Sequence, residues 1–198
     1  MPAQLTIRVG GLHTIDTDIP AFRPTHLLGI LDPLTPDPRA YRQEPTDRVA
    51  LVLRFRDVDA AMPEGPGGHH AAAIIDFADR AIAASRQGEA RLLVHCHAGI
   101  SRSTASAYIT LVRERGIERA AEAFAELLRI AVQPWPNRSL VELADRQLAA
   151  AGQLLAPLDA YRVANQHRLH HIVDYHQSLP ASRRQDDPDP LEWVLPRR

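Results

Sequence analysis

Leu92-Leu93-Val94-His95-Cys96-His97-Ala98-Gly99-Ile100-Ser101-Arg102-Ser103 is the passage that decides the fold. Its apolar opening reads as a buried strand over residues 92–95, and residues 101–114 read as the helix that follows. Cys96, the only cysteine in the chain, falls between the strand end and the helix start. There the free N–H groups and the positive dipole end of a helix converge, a setting that binds an oxyanion and lowers the pKa of a thiol from its usual ~8.5. Arg102 lies six residues further on, close enough to turn back over the same loop. Arginine grips phosphate through two parallel N–H bonds, which lysine cannot do. A thiolate, a cup of backbone amides and a guanidinium fork are the parts needed to take a phosphoryl group from an ester. The plainer reading, Cys96 as a small buried hydrophobe, leaves Gly99, Arg102 and both serines unexplained.

The passage resembles the signature of the cysteine-dependent protein tyrosine phosphatase superfamily, Cys-x5-Arg followed by Ser or Thr. Its flanks are closest to the dual-specificity branch, roughly His-Cys-x-Ala-Gly-x-Ser-Arg-Ser. The chain matches at His95, Cys96, Ala98, Gly99, Ser101, Arg102 and Ser103. Further along, Arg129-Ile130-Ala131-Val132-Gln133-Pro134-Trp135-Pro136-Asn137 occupies the place of that branch's Arg and Pro-Asn segment. Asn137 precedes a helix and reads as its N-cap, with no direct part in catalysis. The resemblance spans roughly residues 25–150 and is closest to small bacterial tyrosine phosphatases.

What the resemblance implies can be assigned residue by residue. Cys96 is the nucleophile, and the amides of His97, Ala98, Gly99, Ile100, Ser101 and Arg102 cradle the phosphoryl oxygens. Arg102 closes that ring, and Ser103 supplies a hydroxyl to the sulfur that eases its departure. The general acid is an aspartate on a loop after the preceding strand. Asp57, in Phe55-Arg56-Asp57, is the first candidate and Asp59 the alternative, 39 and 37 residues before Cys96. No cofactor or metal is required, because Arg102 and the amides meet the charge. The expected reaction removes phosphate from phosphotyrosine proteins, extending to phosphoserine and phosphothreonine, through a phosphocysteine. The rivals are a phosphatase of inositol phosphates, phosphoinositides or nucleotides, and an inactive phosphate-binding module. The variable loop positions, His97 and Ile100, lack the extra lysine or arginine that polyphosphate substrates favour.

Outward from the loop, strands are expected over residues 5–9, 26–31 and 49–55, and helices over 69–85, 119–130 and 139–152. On the helix over 69–85, Ile74, Phe77, Ala78, Ala81 and Ile82 share one face. Residues 33–45 and 60–68 are rich in proline and glycine and read as loops. The alternation predicts an α/β domain, a mostly parallel sheet of four to five strands flanked by helices, with the cysteine loop at a strand's carboxyl end. Residues 1–155 form the expected phosphatase domain, 156–181 a helical extension and 182–198 a tail. In the extension His167, His170, His171, His176 and Asp174 read as a solvated face rather than a metal site.

Composition narrows the class. The chain has 198 residues, 45% hydrophobic content and a net charge of -1, which gives no sign of a polyanion-binding surface of the nucleic-acid type, and no nucleic-acid partner is expected. All 23 basic residues are arginine, read as a compositional bias of the kind expected from a GC-rich bacterial genome. One cysteine forms no internal disulfide, and a working thiolate favours a reducing compartment. Without an apolar leader or a membrane span, the expectation is a cytoplasmic monomer.

Overall fold

In the computed structural model residues 5–43, 46–58 and 63–168 are described. Among these residues four parallel strands, β1 (Leu5–Gly11), β2 (His26–Leu31), β3 (Val49–Arg54) and β4 (Ala90–Cys96), form one sheet in the order β1-β4-β2-β3. The strand leading to the cysteine is therefore internal, paired to β1 from Leu5↔Ala90 to Gly11↔Cys96 and to β2 from His26↔Leu92 to Gly29↔His95. Both faces of the sheet are covered, which is why β2 and β4 are near-continuous apolar runs rather than alternating ones. Alternate residues still go to opposite sides. Leu92, Val94, Leu28 and Ile30 enter the main core, while Leu93 and Leu27 join Ile15, Ile19 and Ala40 in a smaller cluster on the other face.

Among the described residues six α-helices flank the sheet: α1 (Ile15–Phe22), α2 (Gly68–Ser85), α3 (Arg102–Arg115), α4 (Ala120–Ile130), α5 (Arg138–Gln147) and α6 (Leu155–Ala164). The expected apolar stripe of α2, Ile74, Phe77, Ala78, Ala81 and Ile82, is buried as one face. The α3 helix is the spine of the main core, with Tyr108 packed edge-on to Phe124 of α4 and its hydroxyl donating to the Leu154 carbonyl. Among the described residues no helix is long and apolar enough to cross a membrane.

Three local expectations are corrected. The α1 helix carries Pro20 inside it and gives little sign of itself in the sequence. Its burial of Ile15 and Ile19 against Leu27 and Leu93 holds it in place. The helix expected to reach residue 152 stops at Gln147, because the buried Asp145 carboxylate accepts from the Gly152 and Leu154 amides and closes a turn instead. The loop after β2 contains a 3-10 turn, Arg39–Arg42, pinned by Arg48 donating to the Tyr41 carbonyl. Of the His-rich set, His167 lies in a second short turn, Gln166–Arg168, and His170, His171, Asp174 and His176 fall outside the described residues.

Candidate active site

Residues 97–101 join the end of the internal strand β4 to the first turn of α3, so the cysteine loop lies at the carboxyl edge of the sheet. Two neighbours fix its shape. On one side, the Leu12 amide donates to the His97 carbonyl at 2.8 Å. On the other, the Trp135 amide donates to the Ile100 carbonyl at 2.9 Å and the Asn137 amide to the Ser101 carbonyl at 3.3 Å. Gly99 is required by this packing: its φ is +78°, and a Cβ there would lie 2.9 Å from the Gly10 carbonyl carbon and oxygen.

Cys96 is buried, with Sγ 3.2 Å from the Ser103 hydroxyl, within reach of a hydrogen bond to sulfur. His95 is buried beside it. Its Nδ1 lies 3.3 Å from the Cys96 carbonyl, and its Nε2 lies 2.5 Å from the Tyr41 hydroxyl. These partners suit a neutral ring that donates from Nδ1 and accepts at Nε2. Burial pushes the His95 pKa down to about 4, with His97 and Arg102 adding to the effect. Burial also raises the Tyr41 pKa, so its hydroxyl stays a donor.

Arg102 is among the largest fully buried side chains. Its Nη1 donates to Asp32 Oδ1 and to the Phe55 carbonyl, both at 2.6 Å, and its Nε lies 3.4 Å from Asp57 Oδ2. Asp57 is buried as well. Its Oδ1 accepts from the Ser101 hydroxyl at 2.6 Å and from Asn137 Nδ2 at 2.9 Å. Ser101 stands at the N-cap position of α3 but makes no side-chain cap, because its hydroxyl is turned to Asp57.

The structure thus brings together Cys96, Ser103, Arg102 and Asp57, with His97, Ala98, Gly99, Ile100 and Ser101 forming the loop between them. Asp59, the alternative acid, lies outside the described residues. The expectation that Asn137 only caps its helix is incomplete. Its Oδ1 does accept from the Leu140 amide at 2.9 Å, but its Nδ2 binds Asp57. Sequence reading also missed Asp32 and Tyr41. A signal for Asp32 existed: it follows β2 at the same carboxyl edge of the parallel sheet where the cysteine loop sits, the edge at which such sheets bind ligands.

No family model matches the chain, and no curated protein matches it. Solved structures do. Human DUSP28 superposes with a TM-score of 0.53 at 20% identity, over 83% of this chain and 96% of that one. The human tyrosine phosphatase-like serine/threonine/tyrosine-interacting protein gives 0.51 at 21% identity, over 76% and 94%. The Yvh1 phosphatase domain from Chaetomium thermophilum gives 0.50 at 21% identity, over 76% and 93%. The chain has the fold of dual-specificity-type members of the protein tyrosine phosphatase superfamily.

Proposed function

We propose that the chain is a phosphoric monoester hydrolase working through a phosphocysteine, with phosphotyrosine proteins as its leading substrate class and phosphoserine or phosphothreonine as extensions. The observation that carries this reading is the position of Asp57. A carboxylate 39 residues before the cysteine in sequence is buried with its Oδ2 3.4 Å from the Nε of Arg102, on the loop that bears Cys96. Nucleophile, anion fork and proton donor are the set that phosphoester cleavage needs.

With Nη1 engaged by Asp32 and Phe55 and Nε facing Asp57 Oδ2, the Nε–Nη2 edge of Arg102 is the one we assign to two phosphoryl oxygens, which on binding come between Nε and Asp57, and the α3 amides complete the cradle. Cys96 Sγ attacks phosphorus in line, the S–P bond forms and the ester P–O bond breaks. The leaving oxygen takes a proton from Asp57. Because Ser101 and Asn137 both donate to Oδ1, Oδ2 is the oxygen that carries this proton. The ionised Asp57 then removes a proton from water as it attacks phosphorus. The S–P bond breaks, phosphate leaves, and the thiolate is received by the Ser103 hydroxyl.

The test is hydrolysis of p-nitrophenyl phosphate from pH 4.5 to 8 with chelator present. Cys96→Ser abolishes turnover, and Asp57→Ala lowers kcat about 100-fold and removes the alkaline limb. Asp59→Ala and chelator leave the rate near that of the unaltered protein. A Cys96→Ser protein with undiminished rates ends the proposal. A folded, inactive wild type that binds inorganic phosphate makes the chain a binding module instead. Phosphotyrosine, phosphoserine and inositol phosphate substrates, compared by kcat/KM, then separate the substrate classes.

A further inference from the structure

The geometry points to Asp32 as the residue that positions the Arg102 fork, its carboxylate shared with His97 so that a proton on His97 sets how strongly the loop grips a dianion. This rests on the reading of residues 96–102 as a phosphoryl site. Asp32 is buried, and its two oxygens have different partners. Oδ1 takes the 2.6 Å bond from Arg102 Nη1. Oδ2 is fully buried and, among the described residues, accepts no hydrogen bond; it lies 3.7 Å from Nε2 of His97. That nitrogen meanwhile faces the Asp32 backbone N–H at 3.3 Å and the Thr35 hydroxyl at 3.4 Å. An N–H donor aimed at Nε2 fits the neutral ring with Nε2 as acceptor.

A proton on Nε2 reverses the preference. The nitrogen becomes a donor, is repelled by the backbone N–H, and finds the carboxylate oxygen less than about 1 Å beyond charged hydrogen-bond distance. Two consequences follow. The loop gains a positive charge beside the phosphoryl cradle, and the Asp32 charge is divided between two cations, which leaves Arg102 in place but less fully neutralised. Both favour an entering dianion. Other charged groups surround this pair. His95 on β4 stays neutral, and Asp57 beyond Arg102 is met by Ser101 and Asn137. His13, after β1, stands by Ala98: a methyl on Gly11 would lie 2.7 Å from its Nδ1 and 2.9 Å from the Ala98 carbonyl carbon. Arg54, at the end of β3, donates to the Asp32 and Thr35 carbonyls and to Asp37, tying down the loop that carries Asp32. The proton on His97 thus bears on Asp32 directly and on Arg102 through it.

Sulfate is the probe, because it remains a dianion from pH 5 to 8. In the wild type its affinity, read by calorimetry, rises at least about fivefold from pH 8 to pH 5. The slope is lost in His97→Gln and in Asp32→Asn. By reciprocity, sulfate moves the His97 Cε1–H NMR titration to higher pH in the wild type and not in Asp32→Asn. The positioning role is read separately. Asp32→Ala lowers kcat/KM for p-nitrophenyl phosphate about 100-fold, and Asp32→Asn, which keeps an acceptor for Nη1, restores most of it. Circular dichroism melts confirm that each variant is folded. Flat sulfate affinity in a wild type that still hydrolyses aryl phosphate through Cys96 overturns this inference and leaves the phosphatase reading standing. So does a wild-type slope retained in His97→Gln. Neither sulfate binding nor hydrolysis overturns both.

Discussion

At the residue scale the site shows side chains with two employers. Asn137 accepts the Leu140 amide with Oδ1 and gives Nδ2 to Asp57, so one amide group both starts α5 and fixes the acid. The two roles can be separated. Asn137→Asp keeps the cap, since a carboxylate serves there as well as an amide. It also places a second negative group against Asp57 Oδ1. We expect stability lowered at neutral pH by the two facing buried carboxylates and recovered as acid protonates one of them, kcat lowered about tenfold, and the pH limb belonging to Asp57 moved upward by like-charge repulsion. Asn137→Ala loses both roles, with about 1 kcal/mol of stability gone as well. Urea midpoints and kcat–pH profiles of the two variants check this. An Asn137→Asp enzyme with a wild-type profile would show that the Asp57 contact has no catalytic consequence.

At the element scale, β2 and the 3-10 turn after it are matched by a single missing side chain. Gly29 pairs with His95 across the sheet, and a Cβ on it would collide with the Tyr41 hydroxyl and lie 3.0 Å from His95 Nε2. Only glycine leaves room for the hydroxyl that His95 accepts. Gly29→Ala is expected to expel Tyr41 and cost about 1–3 kcal/mol by overpacking. In a Tyr41→Phe background the cost shrinks, because the crowding atom is gone, and a double-mutant cycle on urea stability returns a coupling above about 0.5 kcal/mol. Additive costs would mean that the two residues do not meet.

The same elements show how much was legible in the sequence. The strand, loop and helix around Cys96 were readable because each obeys a local rule: an apolar run, a glycine at positive φ, a helix after the loop. The stripe on α2 was readable from its period. The links from Tyr41 to His95, Asp32 to Arg102 and Asn137 to Asp57 span 54, 70 and 80 residues, and no local rule contains them. The α1 helix was hidden for a related reason: its burial against the sheet, rather than its propensity, holds a segment that contains proline.

At the scale of the whole molecule, the imidazoles built into the interior make stability fall with acid, and the sign follows from which state binds the proton. Burial holds His95 at about 4 and, with help from His69, His70 at about 4, while His26 is also lowered. The unfolded chain carries histidines near 6.5. Above pH 6.5 both states are neutral and the full stability is present. Between about 6.5 and 4 the unfolded chain takes protons that the folded one refuses, so acid drains stability across that window. Below about 4 the His95 contribution levels off. For His95 alone the loss at pH 4.5 is on the order of 2–3 kcal/mol. Urea unfolding at pH 7 and 4.5, in wild type and His95→Gln, isolates it, because carboxylates titrate alike in both proteins. The wild type is expected to lose roughly 2–3 kcal/mol more than the variant over that interval. Equal losses would mean that His95 accepts a proton in the folded state, and with it that the Tyr41 hydroxyl is not holding its Nε2 as an acceptor.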